Sequence, residues 1–101
     1  FSLETCNLFL THTSRISRRG LGFDKPDTEN VAKSPCAEEA PAEVFGHTGF
    51  TGTCAWADPK NRLVFVFISN RIYPRVFDHK KLMSLNIRPR IQQVMYQSLM
   101  K

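Results

Sequence analysis

A chain of 101 residues is long enough for one domain and too short for two. With 42% hydrophobic and 23% charged residues it has the composition of a globular protein rather than a disordered one, and its longest apolar run, Leu63 to Ile68, is too short to span a membrane. The net charge of +5 sits in two clusters, Arg15/Arg18/Arg19 and Lys80 to Arg90, that read as solvated basic faces; without exposed aromatics beside them, nucleic acid is excluded as a partner.

Ser2 to Phe9 predicts a helix, with Ser2 as cap, Glu4 in the first turn, and Leu3, Cys6, Asn7 and Leu10 near helical spacing. Thr11 to Ser17 reads as a loop, and Leu21-Gly22-Phe23 as a short apolar strand. From Asp24 to Ala42 the chain is polar and carries Pro26, Pro35 and Pro41, which predicts a long connection without structure of its own. Phe45 to Ala57 then alternates as a strand does, interrupted by Gly46, Gly49 and Gly52.

Asp58-Pro59-Lys60-Asn61 has turn chemistry, with Asp first and Pro second, and leads into the β-branched and aromatic run Leu63 to Ile68. So short a connection predicts an antiparallel hairpin. A strand apolar on both faces needs cover on both. After Ser69-Asn70-Arg71 and Tyr73-Pro74, a terminal helix is expected, with Asn86 as N-cap and Pro89 in its first turn. Ile87, Ile91, Val94, Met95 and Leu99 form one apolar stripe expected to face the sheet. The fold class is therefore α+β, an antiparallel hairpin flanked by helices. Two good strands, one short strand and two helices cannot cover such a sheet, so residues 1–101 are expected to be one partial domain that needs more chain or a partner.

Single residues add little chemistry of their own. Cys6, Cys36 and Cys54 have neither Cys-x-x-Cys spacing nor a histidine at ligand spacing, so zinc is not expected; they read as small buried or half-buried residues, at least one unpaired. No cofactor is expected. His12 reads as a loop residue and His79 as a surface residue leading the last helix. Trp56 reads as core, and Tyr73 and Tyr96 as packed rings whose hydroxyls reach solvent or a backbone carbonyl. No basic region followed by an apolar one marks a signal peptide.

The chemistry concentrates in Phe45-Gly46-His47-Thr48-Gly49-Phe50-Thr51-Gly52. Three glycines in seven residues permit close approach to a strand edge, where His47 and Thr48 place a titratable ring and a hydroxyl. On an edge strand, free N–H groups pair with an extended substrate or stabilise an oxyanion.

This string, followed by Trp56-Ala57-Asp58-Pro59, the hydrophobic strand and Ser69-Asn70-Arg71-Ile72-Tyr73-Pro74, resembles the C-terminal part of the serine β-lactamase-like and penicillin-binding-protein superfamily. Arg18-Arg19-Gly20-Leu21-Gly22-Phe23-Asp24 resembles the strand preceding its third motif, and Asn86-Ile87-Arg88 through Tyr96 its last helix. The resemblance is closest to the class C-like and esterase branch, in which the Lys-Thr-Gly box becomes His-Thr-Gly. Similar modules occur fused behind bacterial family 3 glycoside hydrolases.

The resemblance implies acyl transfer, in which the serine of a Ser-x-x-Lys motif attacks a carbonyl. His47 would then stand where the box lysine stands, Thr48 would offer a hydroxyl, Gly49 would make room, and Phe50 would lend its N–H to the oxyanion. The one Ser-x-x-Lys spacing, Ser98 to Lys101, lies on the final helix, and no Tyr-x-Asn precedes the box. The nucleophile is therefore expected in the remainder of the parent domain, and these 101 residues alone are expected to be inactive and prone to self-association. A neutral imidazole anchors a carboxylate less strongly than an ammonium, which favours a small ester, amide or peptide over a β-lactam. The resemblance implies a bacterial periplasmic or cell-envelope setting. The other reading is a non-catalytic binding or structural module of the same fold, attached to a larger bacterial hydrolase.

Overall fold

The computed structural model describes residues 1–11, 13–75 and 80–99; the readings of His12 and His79 lie outside the described residues. In chain order the elements are α1 (Leu3–Thr11), a 3-10 turn (Val31–Lys33), β1 (Phe45–Thr48), β2 (Cys54–Asp58), β3 (Leu63–Phe67), α2 (Lys81–Ser84) and α3 (Ile87–Leu99). The strands form one antiparallel sheet in the order β1-β2-β3, which gives a small α+β fold.

Ser2 begins α1 as its position predicts: its Oγ accepts the Thr5 N–H at 3.1 Å. The helix runs to Thr11, and none of its residues is buried. The strand expected at Leu21–Phe23 does not form. A single antiparallel bridge forms one residue later, where Asp24 and Gly46 exchange backbone hydrogen bonds of 2.8 and 3.2 Å.

The run from Phe45 to Ala57 is two strands rather than one. Gly49 donates to the Thr53 carbonyl at 2.8 Å and Gly52 to that of Gly49 at 3.0 Å, folding the chain back on itself. Gly52 has φ +103°, which an L side chain would strain. The next turn follows its sequence closely: the Asp58 carboxylate accepts the Asn61 N–H at 3.0 Å and the Asn61 side-chain amide at 2.7 Å.

Strand pairing sets Gly46, Trp56 and Phe65 across one face of the sheet, and His47, Ala55 and Val66 across the other. On the first face Trp56 is 2% exposed and packs in the core with Cys54 and Phe65. Gly46 makes room for that ring, since a Cβ there would lie 2.8 Å from it.

Two elements cover this face. One is the 24–42 connection, a loop whose only regular element is the 3-10 turn, yet packed against the sheet rather than solvated along its length. It buries Ser34, Cys36, Ala37 and Ala40, with Val44 just beyond. Small side chains let its backbone lie close to the sheet, and the backbone groups thus removed from water find partners. Ser34 Oγ accepts the Asp27 N–H at 3.1 Å, and Gln92 Oε1 accepts the Ala37 N–H at 2.8 Å.

The other element, α3, is rotated from its expected orientation. Its buried residues are Arg88, Gln92 and Tyr96, one per turn, whereas Ile91, Val94 and Leu99 of the apolar stripe are exposed. The loop and turn under the helix present unpaired backbone groups, and the polar side chains satisfy them where aliphatic ones would leave them orphaned. Tyr96 donates its hydroxyl at 2.7 Å to the Asp58 carboxylate, not to solvent or a carbonyl. Asn86 opens α3 through its backbone: its carbonyl accepts the Arg90 N–H at 3.3 Å, while its φ of 52° ends α2. None of the described hydrogen bonds uses its side chain as a cap.

The second sheet face has no cover among the described residues. Val64 and Val66 are 69% and 57% exposed, and Ile68 beyond them 82%. With the outer face of α3, this leaves apolar surface on two sides. The chain expressed alone should therefore self-associate and bind hydrophobic dyes; a compact, dye-silent monomer in sedimentation overturns this.

Asp58 supplies a second prediction. Burial pushes its pKa up, but hydrogen bonds from Asn61 and Tyr96 outweigh burial and hold it below the ordinary 3.8. Its stabilisation is complete above that value and fades as pH falls through the folded-state value. Tyr96→Phe should cost about 1–3 kcal/mol in urea unfolding at neutral pH and flatten the acid dependence.

Candidate functional site

The site is organised around Asp24, whose side chain is 2% exposed. A carboxylate taken from water needs charge and hydrogen bonds in return, and Arg18 gives both. Its Nε and Nη2 donate to the two carboxylate oxygens at 2.8 and 2.9 Å, a bidentate pair that raises the Arg18 pKa. The Lys25 N–H adds a bond of 2.8 Å, and Arg19 Nη2 stands 3.9 Å away. Because the Asp24 backbone also bridges Gly46, both arginines are held against the strand that carries His47.

Arg19 reaches that strand directly. Its Nη1 lies 3.0 Å from His47 Nε2, and His47 Nδ1 lies 2.6 Å from the Thr48 carbonyl. A guanidinium only donates and a carbonyl only accepts, so in these two contacts Nε2 serves as acceptor and Nδ1 as donor. His47 itself is exposed on the uncovered sheet face.

Thr48, the next residue, faces the other way. It lines a cleft of about 280 Å³ with Arg18, Arg19, Ser34, Asn86 and Arg88. The strand edge is only partly open, because the Gly46 N–H is taken by Asp24. β1 ends at Thr48, so Gly49 and Phe50 lie in the turn that follows. None of the described hydrogen bonds uses the Phe50 N–H. The structure thus gathers His47, Thr48, Gly49 and Phe50 at one end of the sheet, with the histidine and threonine side chains on opposite faces.

Other candidate groups are spoken for. Cys36 and Cys54 are buried, and burial pushes both thiols up, which keeps them protonated and poor nucleophiles. Burial also lowers the pKa of Lys25, whose ammonium donates to the Val44 carbonyl at 3.1 Å. Ser98 donates to the Val94 carbonyl of its own helix at 2.8 Å. Lys101 lies outside the described residues. Among the described residues, no three His, Cys, Asp or Glu side chains stand together to hold a metal ion, and no helix is long and apolar enough to cross a membrane.

Arg18, Arg19, Asp24 and Arg88 were not singled out as site residues by sequence reasoning, which read the arginines as solvated faces. Arg88 is buried and Arg18 is bound to Asp24. The available signal was one acidic residue immediately after Leu21-Gly22-Phe23, with two arginines a few positions before it.

The family model "Beta-lactamase" matches residues 9–86. Two curated relatives, each named "Putative D-alanyl-D-alanine carboxypeptidase", come from Escherichia coli O157:H7 and Escherichia coli strain K12. They are 34% and 33% identical to this chain over 82 residues, or 80% of it. The chain spans 18% of the length of each. No solved structure matches.

Replacing Asp24 with Ala should cost about 1–3 kcal/mol in urea unfolding, because it removes the charge-assisted hydrogen bonds from Arg18, which is 32% exposed and still reached by water, and loosens Arg19 from β1. Asp24→Asn should cost less but release the His47 ring, visible as a shift of its imidazole NMR signals. An Asp24→Ala protein as stable as the wild type would remove the carboxylate from its organising role.

Proposed function

The chain belongs to the beta-lactamase family, and on that premise we propose that it forms the C-terminal active-site wall of a serine hydrolase acting by acyl transfer. The carrying observation is the Arg19–His47 pair beside Thr48, at the end of the strand that bears the His-Thr-Gly string. In this reading the serine and lysine of a Ser-x-x-Lys motif come from the remainder of the parent domain, which also covers the exposed sheet face. His47 hydrogen-bonds the catalytic network or the substrate, Thr48 offers its hydroxyl, Gly49 makes room, and the Phe50 N–H is one oxyanion donor. The His-Thr-Gly sequence supports the class C-like and esterase branch.

The substrate is a small ester, amide or peptide. Arg19 favours a peptide ending in a carboxylate, because its guanidinium restores beside position 47 the positive charge that a neutral imidazole lacks. The two relatives named as carboxypeptidases support the same choice and a cell-envelope setting.

The test uses the full-length protein with three substrates: a peptide ending in D-alanyl-D-alanine, a short-chain ester and a β-lactam. Turnover of the peptide or ester, lost on replacing the Ser-x-x-Lys serine, supports the proposal. No turnover of any substrate overturns it in favour of a non-catalytic module. His47→Ala should lower kcat/KM about a hundredfold without changing the unfolding midpoint. Arg19→Ala should raise KM about tenfold for the peptide and leave the ester unaffected. Equal effects on both substrates would remove Arg19 from carboxylate recognition.

A further inference from the structure

The turn after β1 carries Phe50, whose side chain is 69% exposed, while Gly52 beyond it is buried. Hydrogen bonds help to set the turn's shape. Within the turn, Gly49 donates to the Thr53 carbonyl at 2.8 Å and Gly52 to the Gly49 carbonyl at 3.0 Å. From outside, Arg88 of α3 is inserted beneath it. One guanidinium nitrogen, Nη1, lies 3.0 Å from the Thr53 carbonyl and 3.4 Å from that of Gly49. The other, Nη2, lies 3.1 Å from Met83 Sδ of α2. The side chain is a cation 9% exposed, so water does little to compete for those carbonyls. The Arg71 N–H also donates to the Thr51 carbonyl at 2.8 Å, and its guanidinium sits 4.5 Å over the Phe50 ring.

We propose that Arg88 is a positioning residue for the acyl-transfer site: by bridging the Gly49 and Thr53 carbonyls it fixes the turn that aims the Phe50 N–H. This rests on the functional reading above, in which that N–H is an oxyanion donor. Both carbonyls converge on a single Nη1, and Nη2 is anchored on α2, so the guanidinium's rigid fork ties the two ends of the turn to both helices. An oxyanion donor works only when already aimed at the charge that develops, so a turn free to rock loses transition-state stabilisation before it loses substrate binding.

The experiment compares the full-length protein with its Arg88→Lys, Arg88→Met and Arg88→Ala variants, with Arg90→Ala as an exposed control on the same helix. The expected result for Arg88→Met is a fall in kcat of tenfold or more with KM within twofold, and at least tenfold faster amide exchange at Gly49 and Gly52, the hydrogen-bonded amides of the turn, but not in β2 or β3. Added guanidinium should restore part of the Arg88→Ala turnover. Arg88→Lys, which keeps the charge and the fold but loses the fork, should fall between wild type and Arg88→Met.

Unchanged Gly49 and Gly52 exchange in folded Arg88→Met or Arg88→Lys protein overturns the clamp, whatever the activity. Faster exchange with unchanged kcat in an active enzyme overturns the positioning role. A wild-type protein without hydrolase activity removes the functional reading and the positioning role together, while exchange still reports on the clamp by itself.

Discussion

A carboxylate buried as deeply as that of Asp24 is unfavourable until positive charge is brought to it, and the loop between α1 and the first strand is shaped by that need. Two consecutive arginines divide the work. Arg18 closes the bidentate pair, and Arg19 stands close enough to be held but far enough to extend its other nitrogen to His47. Asp24 also joins the sheet edge through its backbone. One position therefore couples charge compensation, chain direction and the orientation of the imidazole.

The terminal helix shows the converse of an oily interface. Its sheet side is polar, with a guanidinium, an amide and a phenol that each satisfy a backbone or carboxylate group of a segment distant in sequence. This side specifies where the helix sits, because each partner lies at a fixed point of a turn or loop. Its apolar side looks away, so the helix is built to lie between two layers.

What could be read along the chain was local. The Ser2 cap, the Asp58 turn, the β2–β3 hairpin and the glycine-rich string that holds His47 and Thr48 all depend on residues a few positions apart. The rotation of α3 and the burial of the 24–42 connection depend on pairs such as Ala37 with Gln92, 55 residues apart, and Asp58 with Tyr96, 38 apart. Hydropathy assigns Ile91 and Val94 to the core because it weighs each residue alone; it has no means of weighing orphaned carbonyls that a polar side chain will meet. The site divides in the same way, its histidine legible in a motif and its arginine 28 residues upstream visible only once the chain has folded.

The cysteines, finally, make the fold its own recorder. Cys36 lies in the connection and Cys54 in the strand it covers, both buried as protonated thiols, while Cys6 on α1 is half-buried. An alkylating reagent meets the two core sulfurs only when those layers part, so their labelling rates count the separations of cover from sheet. Cys6, which belongs to neither layer, supplies the reference rate within the same molecule.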